Sequence, residues 1–160
     1  MKSLTIIYAT SSGHTSYVID TLVSVLSEKA KNCRVIRQRA EVTTIEDVHS
    51  AESILFACGT WNTGNTEGQL NPFMHQLLHE TLKDCDLAEK PATAIGLGSD
   101  AYYFTARSAD LLVEFITDHH GSVMLPPLKI INEPYGQESK IALWAEELIR
   151  TMKKLPSPLL

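Results

Sequence analysis

A doubly wound α/β domain, with five parallel strands in the order 2-1-3-4-5 and helices on both faces, is the fold this 160-residue chain predicts. Three observations carry that reading. Short apolar runs alternate along the whole chain with longer segments in which apolar residues recur every three or four positions. Three of the runs are continuously apolar, as expected of parallel strands covered on both faces. The first run is followed directly by a hydroxyl-rich turn and a helical pattern, the strand, turn and helix order of right-handed crossovers.

The five strands are read at Leu4 to Tyr8, Cys33 to Ile36, Ser53 to Cys58, Ala92 to Leu97 and Val123 to Ile131. Between the first two lies a helix over Ser16 to Lys31, with Val18, Leu22, Val25 and Leu26 on one stripe. Ala40 to Ala51 is polar and rich in threonine, and only Val42, Ile45 and Val48 are available to a short helix. A third helical stripe runs through Leu70, Phe73, Met74, Leu77 and Leu78, and a fourth through Leu111, Leu112, Phe115 and Ile116. Ile141, Leu143, Trp144, Leu148 and Ile149 complete the pattern as the last helix.

The length suits one domain over residues 1–160. A hydrophobic fraction of 44% with 21% charged residues excludes the disordered and collagen-like classes. No apolar stretch reaches the length of a membrane span, and the opening Met1 to Tyr8 is too short in apolar residues for a secretion signal. Cys33, Cys58 and Cys85 are odd in number and lack Cys-x-x-Cys spacing, which argues against a disulfide framework or zinc site and for a reducing cytoplasm. Net charge runs +4, −7 and −2 over residues 1–40, 41–90 and 91–160. An acidic middle disfavours nucleic acid as a partner and permits attraction to a protein with a basic face.

In doubly wound sheets ligands collect beyond the carboxyl ends of the strands, where the winding reverses. The first strand holds that position, and Thr10-Ser11-Ser12-Gly13-His14-Thr15 is the loop at its end. A helix N-terminus presents unpaired N–H groups and a positive dipole end to an anion. The hydroxyls of Thr10, Ser11, Ser12 and Thr15 add donors, and Gly13 permits a tight turn. A helix cap is the other reading of the same residues. No Gly-x-x-x-x-Gly-Lys or Gly-x-Gly-x-x-Gly pattern is present there, so the cradle suits one terminal monophosphate rather than a nucleoside triphosphate or a dinucleotide.

Two more loops reach the same rim. Gly59-Thr60-Trp61 follows the third strand and continues as Asn62-Thr63-Gly64, and Gly96-Leu97-Gly98-Ser99-Asp100-Ala101-Tyr102 follows the fourth. Trp61 and Tyr102 offer rings for the two faces of a planar ligand, whereas Tyr103 and Phe104 read as ordinary surface packing. His75 and His79 stand four apart on a helix without a third ligand and read as a solvated face.

This constellation resembles the flavodoxin family over essentially the whole chain. The family's hydroxyl loop with its central glycine is matched by Thr10 to Thr15, its Thr-Trp segment by Thr60-Trp61, and its fourth-strand loop by Gly96-Leu97-Gly98, Asp100 and Tyr102. The resemblance implies FMN as cofactor, held by Thr10, Ser11, Ser12, Gly13, His14, Thr15, Thr60, Trp61, Asn62, Thr63, Gly64, Gly98, Asp100 and Tyr102. Flavodoxin is itself the standard example of FMN at the switch point of this strand order. It further implies a low-potential carrier of single electrons between redox partner proteins, without a substrate pocket of its own. Two alternatives stand beside it: an FMN-dependent NAD(P)H or quinone-type reductase, and a flavin-free interaction module.

The departures from the family are specific. His14 stands where Asn is frequent, and its ring either touches the phosphate or faces water, the second being preferred. Asp100 follows Ser99 rather than Gly98. Asn62 replaces the residue whose carbonyl accepts a hydrogen bond from N5–H of the one-electron-reduced ring. Thr63-Gly64-Asn65-Thr66-Glu67 copies a phosphate-loop sequence, but Trp61 already takes the rim position and the next helix starts near Gln69, so the phosphate is expected at Thr10 to Thr15.

Overall fold

The computed structural model describes residues 2–63 and 66–156. Five parallel positions occur in the predicted order. β1 (Lys2–Tyr8) pairs in parallel with β2 (Cys33–Arg39) on one side and with β3 (Ile54–Thr63) on the other. Two further strands enter as an addition and a division. β4 (Thr66–Leu70) folds back antiparallel on the end of β3, and β5 (Pro91–Gly98) runs parallel to β3. The fifth position is divided into β6 (Ser122–Val123) and β7 (Leu128–Ile131), both parallel to β5. Among the described residues the sheet therefore has seven strands rather than five.

The division has a local cause. Pro126 and Pro127 lack the N–H a ladder needs, so the predicted run from Val123 to Ile131 cannot pair continuously. The intervening backbone stays beside β5 through Met124 N–H on Ala92 O and the Thr93 hydroxyl on Leu125 O. Trp144 Nε1–H donates to Pro126 O at 3.0 Å, which ties the last helix to the same break.

Continuous apolarity in the central strands is explained by two cores. Leu4, Ile6, Tyr8, Leu55 and Ala57 face α1 (His14–Lys29) and α5 (Glu138–Lys154), meeting Val18, Leu22, Ala145 and Leu148. Ile7, Ile54, Phe56 and Cys58 face the other side, against α3 (Pro72–Gln76), its continuing π turn Leu77–Thr81, and α4 (Arg107–Asp118). Edge strand β2 exposes Arg37 and Arg39 on one face and Arg34 on the other. The polar Ala40 to Ala51 connection forms a 3₁₀ turn at Ala40–Val42 and α2 (Ile45–Ser50), opened by a capping box of Thr44 and Asp47.

Two apolar positions fall off their predicted stripes. Leu143 is exposed on α5, and Phe73 is exposed because α3 starts at Pro72, after Leu70 has been taken into β4. The three cysteines are free.

α4 lies directly on β5. A Cβ at Gly96 would stand 2.3 Å from Ala109 N, and one at Gly98 would stand 2.1 Å from Ala106 N. Replacing Gly96 by Ala is therefore expected to cost about 1–3 kcal/mol of unfolding free energy, read from the chemical-denaturation midpoint. Unchanged stability would show that helix and strand are not held this closely.

Candidate functional site

The carboxyl ends of β1, β3, β5 and β7 open into one cavity of about 350 Å³, within the range of small-molecule pockets. Its floor is the loop after β1. Gly13 adopts φ +90° and starts α1 without a side-chain cap, so the helical amides at this end are not covered by a capping group. Thr10 instead turns inward, its Oγ1 accepting the Gly13 N–H at 3.1 Å. Ser11, Ser12 and His14 line the cavity with Thr10, as does Thr15, which is only 4% exposed. His14 also meets the edge of the Tyr135 ring at 5.6 Å, and Tyr135 meets Tyr17, whose hydroxyl donates to Glu138. That bond holds the Glu138 carboxyl below its ordinary pKa and raises the Tyr17 phenol.

The walls come from the two aromatic loops. Gly59, Thr60 and Trp61 form one side, with Trp61 40% exposed. Ser108 of α4 holds this strand end: its N–H donates to Thr60 Oγ1 at 3.0 Å, the Thr60 hydroxyl donates to Ser108 Oγ at 2.9 Å, and Ser108 Oγ donates to Cys58 O at 3.1 Å. Cys58 is wholly buried beneath, its thiol pushed up to about 12 by loss of solvent, which makes it packing rather than chemistry. Leu97, Gly98, Ser99 and Tyr102 form the other side, with Tyr102 52% exposed.

The two walls are fastened to each other. Glu67 on β4 accepts the Tyr103 N–H at 3.0 Å. Phe104 lies against Gly68, where a Cβ would come within 2.7 Å of Phe104 Cβ, and the Arg107 guanidinium sits 4.7 Å over the Phe104 ring. Tyr103 itself is 88% exposed, in keeping with the surface role expected of it.

Several sequence expectations need correction or addition. Asp100 does not line the cavity: its carboxylate accepts from Asn132 Nδ2, and its N–H donates to Asn132 Oδ1. These bonds turn Asp100 toward the loop after β7. The Asn62 side chain accepts the Gly68 N–H at 3.2 Å across the β3–β4 hairpin, which leaves open the role expected of its backbone carbonyl. Thr63 contributes backbone to that hairpin by pairing with Thr66, and Gly64 lies outside the described residues. The helix expected near Gln69 begins at Pro72, because the intervening residues form β4.

Asn71, Asn132 and Glu133 line the cavity without having been expected there. For Asn71 a sequence signal existed: Asn before Pro is a helix-start signature, and a cap following a rim loop belongs at the rim. Asn132 has φ +66°, a conformation Asn tolerates, but no motif announced it.

The residues fit FMN. The cavity offers hydroxyls and free helical amides at one end for a phosphate, and two exposed flat rings at the other for a planar ring system. Fold and site together define a doubly wound α/β protein whose rim cavity suits a mononucleotide. The chain belongs to the flavodoxin family, whose family model, described as Flavodoxin, matches residues 6–144. It is 23% identical over 152 residues to a flavodoxin of Nitratidesulfovibrio vulgaris (strain DSM 19637 / Miyazaki F), covering 95% of this chain and 100% of that one. It is 26% identical over 143 residues to a probable flavodoxin 2 of Bacillus subtilis (strain 168), covering 88% and 89%. Oxidised flavodoxin 1 of Bacillus cereus superposes with a TM-score of 0.82 at 21% identity, over 97% of this chain and 100% of that one. FMN is the cofactor and electron transfer the function that membership carries.

The fastening of the walls is open to test. Glu67→Ala is expected to speed amide exchange at Tyr103 by about fivefold or more, by removing a charge-assisted bond, whereas Glu67→Gln, which keeps the acceptor, changes it little. Equal exchange in the Ala variant and the parent would sever the link between β4 and the Tyr102 loop.

Proposed function

We propose that this protein carries single electrons at low potential, with FMN anchored by its phosphate on Thr10 to Thr15 and its ring between Trp61 and Tyr102. The observation that carries this reading is the convergence of an uncapped helix N-terminus and two exposed aromatic walls on one cavity. Bound FMN supplies one-electron redox chemistry, and the protein sets its potential and access.

Each residue then has a task. The α1 amides with Ser11, Ser12 and Thr15 donate to the phosphate, and Gly13 supplies the left-handed turn that exposes those amides. His14 stands beside them in the floor, its ring against Tyr135. Thr60 and Gly98 bring the two strand ends close enough to grip a ring edge, and Trp61 and Tyr102 exclude water from its faces. The Asn62 carbonyl is the acceptor for a ring N–H, and its side-chain bond to Gly68 limits how freely that peptide turns. Thr63 supports this peptide through its backbone pairing with Thr66, and Gly64 is assigned to the ring contact by the family resemblance alone. Asp100 acts as a charge near the rim rather than a ligand, and with Glu67 it disfavours added negative charge in the ring, which lowers the potential.

The partners are redox proteins that present a basic face to this rim, attracted by Glu67, Asp100 and Glu133 and by the acidic middle of the chain. The chain works as one domain in the cytoplasm, a placement that rests on its three free cysteines. No helix among the described residues is long and apolar enough to cross a membrane.

Two measurements test the proposal. Thr15→Ala is expected to weaken FMN about tenfold while changing riboflavin affinity little, because only FMN brings a phosphate to that hydroxyl. Equal losses for both ligands would remove the phosphate from this loop. Redox titration of the holoprotein is expected to resolve two one-electron steps, and a single two-electron step would refute the shuttle.

A further inference from the structure

Asn71 brings a buried, hydrogen-bonded polar side chain to the cavity. It is 1% exposed, sits between β4 and α3, and lines the cavity beside the phosphate loop. Its N–H donates to Gly59 O at 3.2 Å, its carbonyl accepts from His75 N–H at 2.9 Å, and its Oδ1 accepts from Phe73 N–H at 2.9 Å. Its Nδ2 is 3.1 Å from Ser11 Oγ.

The direction of that last bond is forced. A backbone N–H is only a donor, so the Phe73 amide requires Oδ1 on its side and leaves Nδ2 facing Ser11. Nδ2 is also only a donor, so Ser11 Oγ must accept. A hydroxyl has one proton and two lone pairs, and with one lone pair taken its proton remains free for another acceptor. Ser11 is exposed to the cavity, where that acceptor is whatever occupies the floor.

We propose that Asn71 is a positioning residue for phosphate recognition: by occupying a lone pair of Ser11 Oγ it keeps the Ser11 proton turned toward the ligand's phosphate. The device rests on the reading that the phosphate lies on Thr10 to Thr15. It joins helix capping to ligand choice, because the Phe73 amide that Asn71 caps is what orients its amide group. It also couples the β3–β4 hairpin, through Gly59, to the loop after β1.

Asn71→Asp reverses the polarity with almost no change of shape. Asp caps a helix as well as Asn, so α3 keeps its start. The carboxylate facing Ser11 can only accept, so Ser11 must donate to it and turn lone pairs to the phosphate. The test measures FMN and riboflavin affinities for the parent, Asn71→Asp, Ser11→Ala and the double variant. With Ser11 in place, Asn71→Asp is expected to reduce the preference for FMN over riboflavin by about tenfold or more. On the Ser11→Ala background the same substitution is expected to cost about fivefold less or better, because only the direct effect of the new charge remains.

Equal loss in both backgrounds, or equal weakening of both ligands, overturns the proposal. Asn71→Ser is the second variant, keeping a cap oxygen but too short to hold Ser11; its loss of FMN preference is likewise expected only when Ser11 is present. If instead Thr15→Ala and Ser11→Ala both leave the FMN preference unchanged, the phosphate lies elsewhere and the underlying reading fails. If they lower it while Asn71→Asp acts identically with and without Ser11, the phosphate reading stands and the role of Asn71 falls.

Discussion

The distance between α4 and β5 governs the rest of the site. Gly96 and Gly98 let the helix backbone rest on the strand at separations that no side chain would permit. From that contact Ser108 reaches both Cys58 O and Thr60, which fixes the end of β3 and the Trp61 wall. The same contact places Arg107 over Phe104 and Phe104 against Gly68, so the second wall is referred to the first. A shift of the helix by a fraction of an ångström would alter the spacing of both walls together, because packed interiors transmit displacement rather than absorb it.

The floor is organised differently. Its chemistry comes from backbone amides and hydroxyls whose donors are arranged by neighbouring polar groups: Thr10 takes the Gly13 amide, and Asn71 takes a lone pair of Ser11. Among the described residues, no lysine or arginine lines it. A floor without a fixed cation relies on directed hydrogen bonds, which discriminate between ligands by geometry as well as by charge.

What the sequence made legible follows the range of the interactions involved. Strand order, the two cores and the Thr10 to Thr15 loop are written in local periodicity and in a strand, turn and helix order, and the structure shows the same architecture. The β3–β4 hairpin is hidden in the sequence because Thr66 to Leu70 carries Glu67, Gly68 and Gln69, a composition that reads as loop, and its pairing partner is β3. The bond of Asp100 with Asn132 joins positions 32 apart, which no local pattern reveals. The roles of Asn71 and Ser108 depend on contacts with residues 60 and 48 positions distant, and such contacts exist only after folding.

Strand β2 lies at an open margin of the sheet, and it exposes Arg37 and Arg39 on one face and Arg34 on the other. An unpaired margin is a template on which another molecule's strand can align, and a strand carrying guanidinium groups on both faces repels an identical strand brought alongside it. Arg37 is anchored by Asp20, and the Arg37 and Arg39 guanidiniums both lie over the Tyr8 ring, so the charges stand in place rather than sweeping through solvent. The margin thereby opposes polymerisation by strand addition. For a molecule whose work is to leave one protein and find another, remaining a separate diffusing particle is as much a condition of function as holding its flavin.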